Sequence, residues 1–88
     1  GPPIARQLLA PFALPAEDVE RICWLIAHHH TYSPIDGIDH QILLEADFLV
    51  NAWEEPFSDQ QIRHFYTHIA ATETGKALLR AHYLPDIT

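Results

Sequence analysis

The twelve residues Ile42-Leu43-Leu44-Glu45-Ala46-Asp47-Phe48-Leu49-Val50-Asn51-Ala52-Trp53 set the strongest limit on what this chain can fold into. Wound at about 100° per residue, they put apolar side chains on every side of a helix and leave almost no polar face. A helix that is apolar all round is a buried helix, and enclosing it takes roughly four or five neighbours. The rest of the chain offers four short ones. The expectation is that a segment outside this sequence, or a second copy of the chain in a homodimer, covers the open side of Leu44, Phe48 and their neighbours.

Those neighbours are read from the breaks. Proline and glycine punctuate the chain at Pro11, Pro15, Ser33-Pro34, Asp36-Gly37, Glu55-Pro56, Gly75 and Leu84-Pro85. Pro2 and Pro3 suit a first helical turn, and Ile4, Leu8 and Leu9 follow at helical spacing. Val19, Ile22, Cys23 and Ile26 form the stripe of a second helix that opens with Pro15-Ala16-Glu17-Asp18, acidic where the helix dipole favours negative charge. The third helix runs from about Asp39 to Glu54. Ser58-Asp59-Gln60-Gln61 has the form of a capping box ahead of Ile62, Phe65, Tyr66 and Ile69, and a last helix covers Thr74 to Leu84. No stretch alternates like a strand, so the spacing predicts an all-α bundle of about four to five helices.

Composition narrows the partners. The 88 residues carry a formal charge of −7, and the five basic residues Arg6, Arg21, Arg63, Lys76 and Arg80 are scattered. No cluster neutralises a run of phosphates, which argues against a DNA or RNA duplex as partner. The single Cys23 excludes an internal disulfide framework and favours a reducing compartment. No apolar run approaches the roughly 20 residues that cross a bilayer, and the start does not read as a secretory leader. The expectation is a cytoplasmic protein without a membrane partner. The sequence holds no Met and begins Gly1-Pro2-Pro3-Ile4. That start fits a cleaved tag scar or a cut into a longer chain, and the under-covered third helix favours the cut.

Two groups carry metal-ligand chemistry. Projected from the stripe of the second helix, His30 falls about 20° from its axis, His29 about −80° away on its edge, and His28 about 180° away. A buried imidazole needs a partner on each ring nitrogen, and a metal ion with an acceptor behind it supplies both. The competing reading is a histidine run that suits the helix C-terminus. Asp47, set in the apolar third helix, must be paired, protonated or bound to a cation. Its ordinary partners would be Arg6 or Arg21. Histidine and aspartate on adjacent helices are also the ligand set of Zn, Mn, Fe or Ni.

Ile-Ala-His-His-His at 26 to 30, followed by Ile-Leu-Leu-Glu-Ala-Asp-Phe-Leu at 42 to 49, resembles the second half of an HD-domain metal-dependent phosphohydrolase. The resemblance covers roughly residues 2 to 55 and extends through Thr72 to Leu79. It implies that Asp47 closes a metal site and that His29 and His30 are the metal-binding histidine pair, with a one-residue shift to His28 and His29 left open. The family's upstream His and His-Asp pair are absent: Asp39-His40 is the reverse order and no histidine precedes His28. The implied object, over residues 1–88, is a single partial HD-like helical domain, the C-terminal part of an enzyme. Such an enzyme would use Mn, Fe, Ni, Zn or Mg to activate water against a phosphate ester or nucleotide. The chain alone is expected to be inactive, associated either with its missing N-terminal part or with a second copy. The alternative is a non-catalytic helical module for oligomerisation or regulation, with the third helix as interface.

Other signals are weaker. Thr72-Glu73-Thr74-Gly75-Lys76-Ala77 shares a Gly-Lys pair with P-loops but lacks the leading glycine, the following hydroxyl residue and the preceding strand, so it reads as a helix start. His64 and His68, at i and i+4, lie opposite the Phe65 and Ile69 face and read as a solvated pair. Cys23 reads as inert packing. Trp24 and Trp53 are core anchors or, in a fragment, exposed surface.

Overall fold

The structure, a computed structural model, describes residues 2–55 and 57–87, with Pro2 described in its backbone only. Gly1, Thr88 and the expected break at Pro56 lie outside the described residues. Among the described residues every regular element is helical: α1 Pro2–Leu9, a 3-10 turn Ala10–Phe12, α2 Ala16–Ala27, α3 Gly37–Glu54, α4 Asp59–His68 and α5 Glu73–Tyr83. Among the described residues no helix is long and apolar enough to cross a membrane. The chain forms two compact units, residues 1–31 and 32–88.

In the first unit α1 packs on α2. Pro15 starts α2 by offering its carbonyl to the N–H groups of Asp18 and Val19 at 3.0 and 3.2 Å, with Glu17 and Asp18 in the positive first turn. Arg6 grips Glu20 through both guanidinium nitrogens, at 2.5 and 3.1 Å. That pair is exposed on both sides, so it contributes little beyond orientation.

In the second unit the core gathers Phe48 and Ala52 of α3, Ile62 and Phe65 of α4, and Leu79 and Leu84 around α5. Phe48 and Phe65 lie parallel with ring centres 3.8 Å apart. The expected capping box starts α4: Ser58 Oγ accepts from the Gln61 N–H at 3.1 Å, and Gln61 Oε1 accepts from the Ser58 N–H at 2.9 Å. Thr72 caps α5, its hydroxyl oxygen accepting from the Gly75 N–H at 3.0 Å.

The expectation that α3 is buried all round is corrected. His40, Gln41, Leu44, Glu45, Phe48 and Ala52 are buried, on an arc of about 140° of the helix. Ile38, Ile42, Val50 and Trp53 are 67%, 54%, 56% and 80% exposed, within an arc of about 120°. Leu44 and Phe48, at 0% and 6%, therefore need no cover from outside. The helix is inverted, with three of its polar residues inside and an apolar stripe outside, because the inner polar groups have partners that the sequence does not announce.

Glu45 is the chief of them. Its Oε2 accepts from Gln41 Nε2 at 2.6 Å and from the backbone N–H groups of Ala71 and Thr72 at 3.0 and 3.1 Å. Its Oε1 accepts from the Thr72 hydroxyl at 2.6 Å. Gln41 Nε2 also donates to the Ile69 carbonyl at 2.8 Å. A buried anion is thus placed at the positive start of α5 and held by four donors. Gly75 belongs to the same arrangement, since a Cβ there would fall onto Glu45 Oε1 and lie 2.8 Å from Thr72 Oγ1. Burial pushes the Glu45 carboxyl up, but the hydrogen bonds from Thr72, Ala71 and Gln41 outweigh it and the net pKa is lowered from 4.5.

Because the folded-state pKa lies below the unfolded one, the stability Glu45 contributes is full above about pH 4.5 and is lost as pH falls through the lowered value. Glu45→Gln faces an NH2 against N–H donors. It should cost about 3 kcal/mol at pH 7 and flatten the stability profile below the carboxylate range, measured by urea unfolding between pH 3 and pH 7. An unchanged acid limb in that variant would show that another group carries it.

Candidate metal-ligand residues

The residues singled out for chemistry divide between the units: His28, His29 and His30 follow α2, and Asp47 lies in the middle of α3. The projection that put His30 on the buried stripe is corrected, for α2 ends at Ala27 and His28 leaves helical geometry at φ −114°, ψ 15°. A 100° step no longer applies beyond that point, and His30 is exposed while His28 and His29 are half-buried.

Two of the imidazoles are locked by backbone carbonyls. His28 Nδ1 lies 2.8 Å from the Trp24 carbonyl, and its ring stacks on the Trp24 indole with centres 4.2 Å apart. His29 Nδ1 lies 2.5 Å from the Ile26 carbonyl. A carbonyl can only accept, so Nδ1 carries the proton in both rings and Nε2 of the neutral ring carries the lone pair. That is how metal-binding histidines are commonly oriented, with one nitrogen donating to a carbonyl and the other turned to the ion. The rings of His29 and His30 meet at 3.9 Å between centres, tilted by 46°.

Asp47 is half-buried and accepts from Asn51 Nδ2 at 3.0 Å, one turn further along α3. Its charge also acts on Tyr32, whose phenol is pushed above its ordinary value first by burial and then by Asp47. Arg6, one of the counter-ions considered for Asp47, forms its bidentate pair with Glu20. His64 and His68 are both exposed on α4 with ring centres 4.7 Å apart, as a solvated pair should be. Cys23 is buried, 4% exposed, as the core stripe required.

Sequence reasoning missed three buried polar residues of α3, His40, Gln41 and Glu45. Glu45 was passed over for Asp47 two positions away, although Glu45 is the carboxylate that is 2% exposed. The available signal was Gln41, one turn before it, together with Thr72-Glu73-Thr74-Gly75, a helix start in need of an anion. His40 is fully buried and was noted only as the wrong half of a His-Asp pair. Its Nδ1 accepts from the Asp36 N–H at 2.9 Å, so it is the Nε2-protonated tautomer and supplies an acceptor at the start of α3. Comparison with family models, with curated proteins and with solved structures found no match.

The ring geometries make a direct spectroscopic prediction. Long-range 1H–15N correlation spectra at pH 8 should assign His28 and His29 to the Nδ1–H tautomer and His40 to the Nε2–H tautomer. A His29 ring in the same tautomer as His40 would remove the argument that its Nε2 is prepared as a ligand.

Proposed function

We propose that this chain carries part of the metal centre of a cytoplasmic metal-dependent phosphohydrolase of the HD type, with His29, His30 and Asp47 as ligands. The observation that carries this reading is the His29 ring, whose Nδ1 is tied to the Ile26 carbonyl so that Nε2 is the electron-pair donor. The resemblance of Ile26 to His30 and Ile42 to Leu49 to that family supports it from the sequence side. Two imidazoles and a carboxylate suit Mn, Fe, Ni or Zn, and Mg less well. When bound, such a cation supplies activated water at neutral pH and neutralises charge on the oxygens of a phosphate ester or nucleotide. The chain's own part is to orient the His29 ring through the carbonyl behind its Nδ1 and to keep the Asp47 carboxylate oriented by Asn51.

Titration calorimetry with MnCl2 and NiCl2 tests the ligand set. One cation should bind, and His29→Ala or Asp47→Ala should each weaken it by at least about tenfold. Binding that neither substitution changes would sink the assignment. With the same metals and a generic phosphomonoester, the 88-residue chain should show no appreciable turnover, since the family's upstream His and His-Asp pair are not among its residues. Turnover abolished by Asp47→Ala would instead make these ligands sufficient.

A second reading, a non-catalytic oligomerisation or regulatory module, is favoured by the apolar stripe on α3. Ile42, Ala46, Leu49, Val50 and Trp53 border shallow apolar grooves closed on the other side by Leu78 of α5. Two such faces would remove the 80% exposed Trp53 from water in a homodimer. Light scattering should then report a dimer that Trp53→Asp converts to monomer without loss of helicity. A monomer at all concentrations up to 1 mM, a range on the order of the weakest specific association, would exclude that reading.

A further inference from the structure

Two histidines stand outside both readings. His64 and His68 lie one turn apart on α4, within the second unit, and both are exposed. His68 occupies the last turn of α4, where a cation suits the helix dipole. That explains neither His64, in mid-helix, nor the approach of the two rings. Their centres lie 4.7 Å apart, with the planes tilted by 44°.

This separation has a chemical meaning. An ion bound to two imidazoles at about 2.0 Å, with each ring centre about 1.2 Å behind its nitrogen, holds the centres about 4.5 Å apart at a right angle and about 5.1 Å apart at the tetrahedral angle. The observed 4.7 Å falls between these limits. Nδ1 and Nε2 are nearly equidistant from the ring centre, so the result holds whichever nitrogen binds. Residues at i and i+4 share a helix face, which lets the formed helix present both donors to one ion. Among the described residues no third histidine, cysteine or acid joins this pair in a group of ligand atoms within 4.8 Å of one another.

We propose that His64 and His68 form a two-point chelate for a late transition-metal dication, with copper(II) held most tightly. Imidazole suits copper, nickel and zinc, and copper(II) leads the affinity order while taking nitrogen donors in a tetragonal plane. Nickel stands below copper in that order and is held less tightly by two donors. Water occupies the other positions of the ion. Magnesium and calcium, which take oxygen donors, do not compete. Once one imidazole has bound, the helix holds the second beside the ion at a high effective concentration, a gain that a single exposed histidine lacks. The site shares no ligand with His29, His30 and Asp47, and neither assignment depends on the other.

The whole chain supplies its own reference, for His82 is exposed on α5 with Tyr83, not a histidine, beside its ring. Stepwise addition of CuCl2 to the 15N-labelled chain should broaden the amides of residues 63–69 with a Kd on the order of 1 μM. The amides around His82 should respond only at concentrations at least about tenfold higher. His64→Ala and His68→Ala each leave one imidazole on α4 and should bring its copper response to the level of His82, at least about tenfold weaker. Both side chains are exposed, so each variant should keep its helicity by circular dichroism. The amides of residues 28–31 report on His29 and His30 in the same spectra, so failure of one assignment is read separately from failure of the other. Copper that affects α4 no earlier than the surroundings of His82, binding on α4 that survives either substitution, or an equal affinity of α4 for MgCl2 would each overturn the proposal.

Discussion

The second unit is organised around one buried anion. Glu45 sits on the inner face of α3 and completes the first turn of α5, taking the Ala71 and Thr72 N–H groups and the Thr72 hydroxyl that the helix cannot satisfy itself. A carboxylate stripped of water is costly unless nearly every lone pair is used, and here four donors converge on it. The geometry therefore leaves little freedom in how α5 approaches α3. Among the described residues no buried side-chain nitrogen or oxygen lacks a partner, so the polar groups of the inner face are retained without a desolvation penalty left open.

This inward polarity accounts for the outward apolarity of α3. The helix has six buried residues, and three of them, His40, Gln41 and Glu45, are polar. Its aliphatic residues are then more numerous than its inner face can take. Ile38, Ile42, Val50 and Trp53 occupy the outer one. The proposed metal role starts from a feature that core packing alone does not demand, a histidine ring aligned by a carbonyl.

The architecture was legible where the signals are local. Pro15 with Glu17 and Asp18, Ser58 with Gln61, and Thr72 with Gly75 mark the starts of α2, α4 and α5, because capping joins residues three or four apart. Burial was less legible. Carrying the α2 projection through His30 failed because a helical wheel has no meaning past the last helical residue, and nothing in His-His-His fixes that residue at Ala27. Glu45 was passed over for a different reason. Which of two nearby acids points inward depends on a partner 26 or 27 residues away, and that separation leaves no periodic trace. The pairing of the His28 and His29 Nδ1 atoms with carbonyls was equally out of reach, since it depends on the turn that the backbone makes there.

The reach of the Glu45 hydrogen bonds also orders events in time. The Ser58 and Gln61 box closes between residues three apart, so α4 can start as soon as its own turn forms. The first turn of α5 lacks that independence, because its anion arrives only when a loop of more than twenty residues has brought α3 alongside. The Ala71 and Thr72 amides should accordingly exchange with solvent only when the whole second unit opens, while those at the start of α4 exchange by local fraying. One carboxylate thereby makes the last helix of the chain answerable to the long one that precedes it.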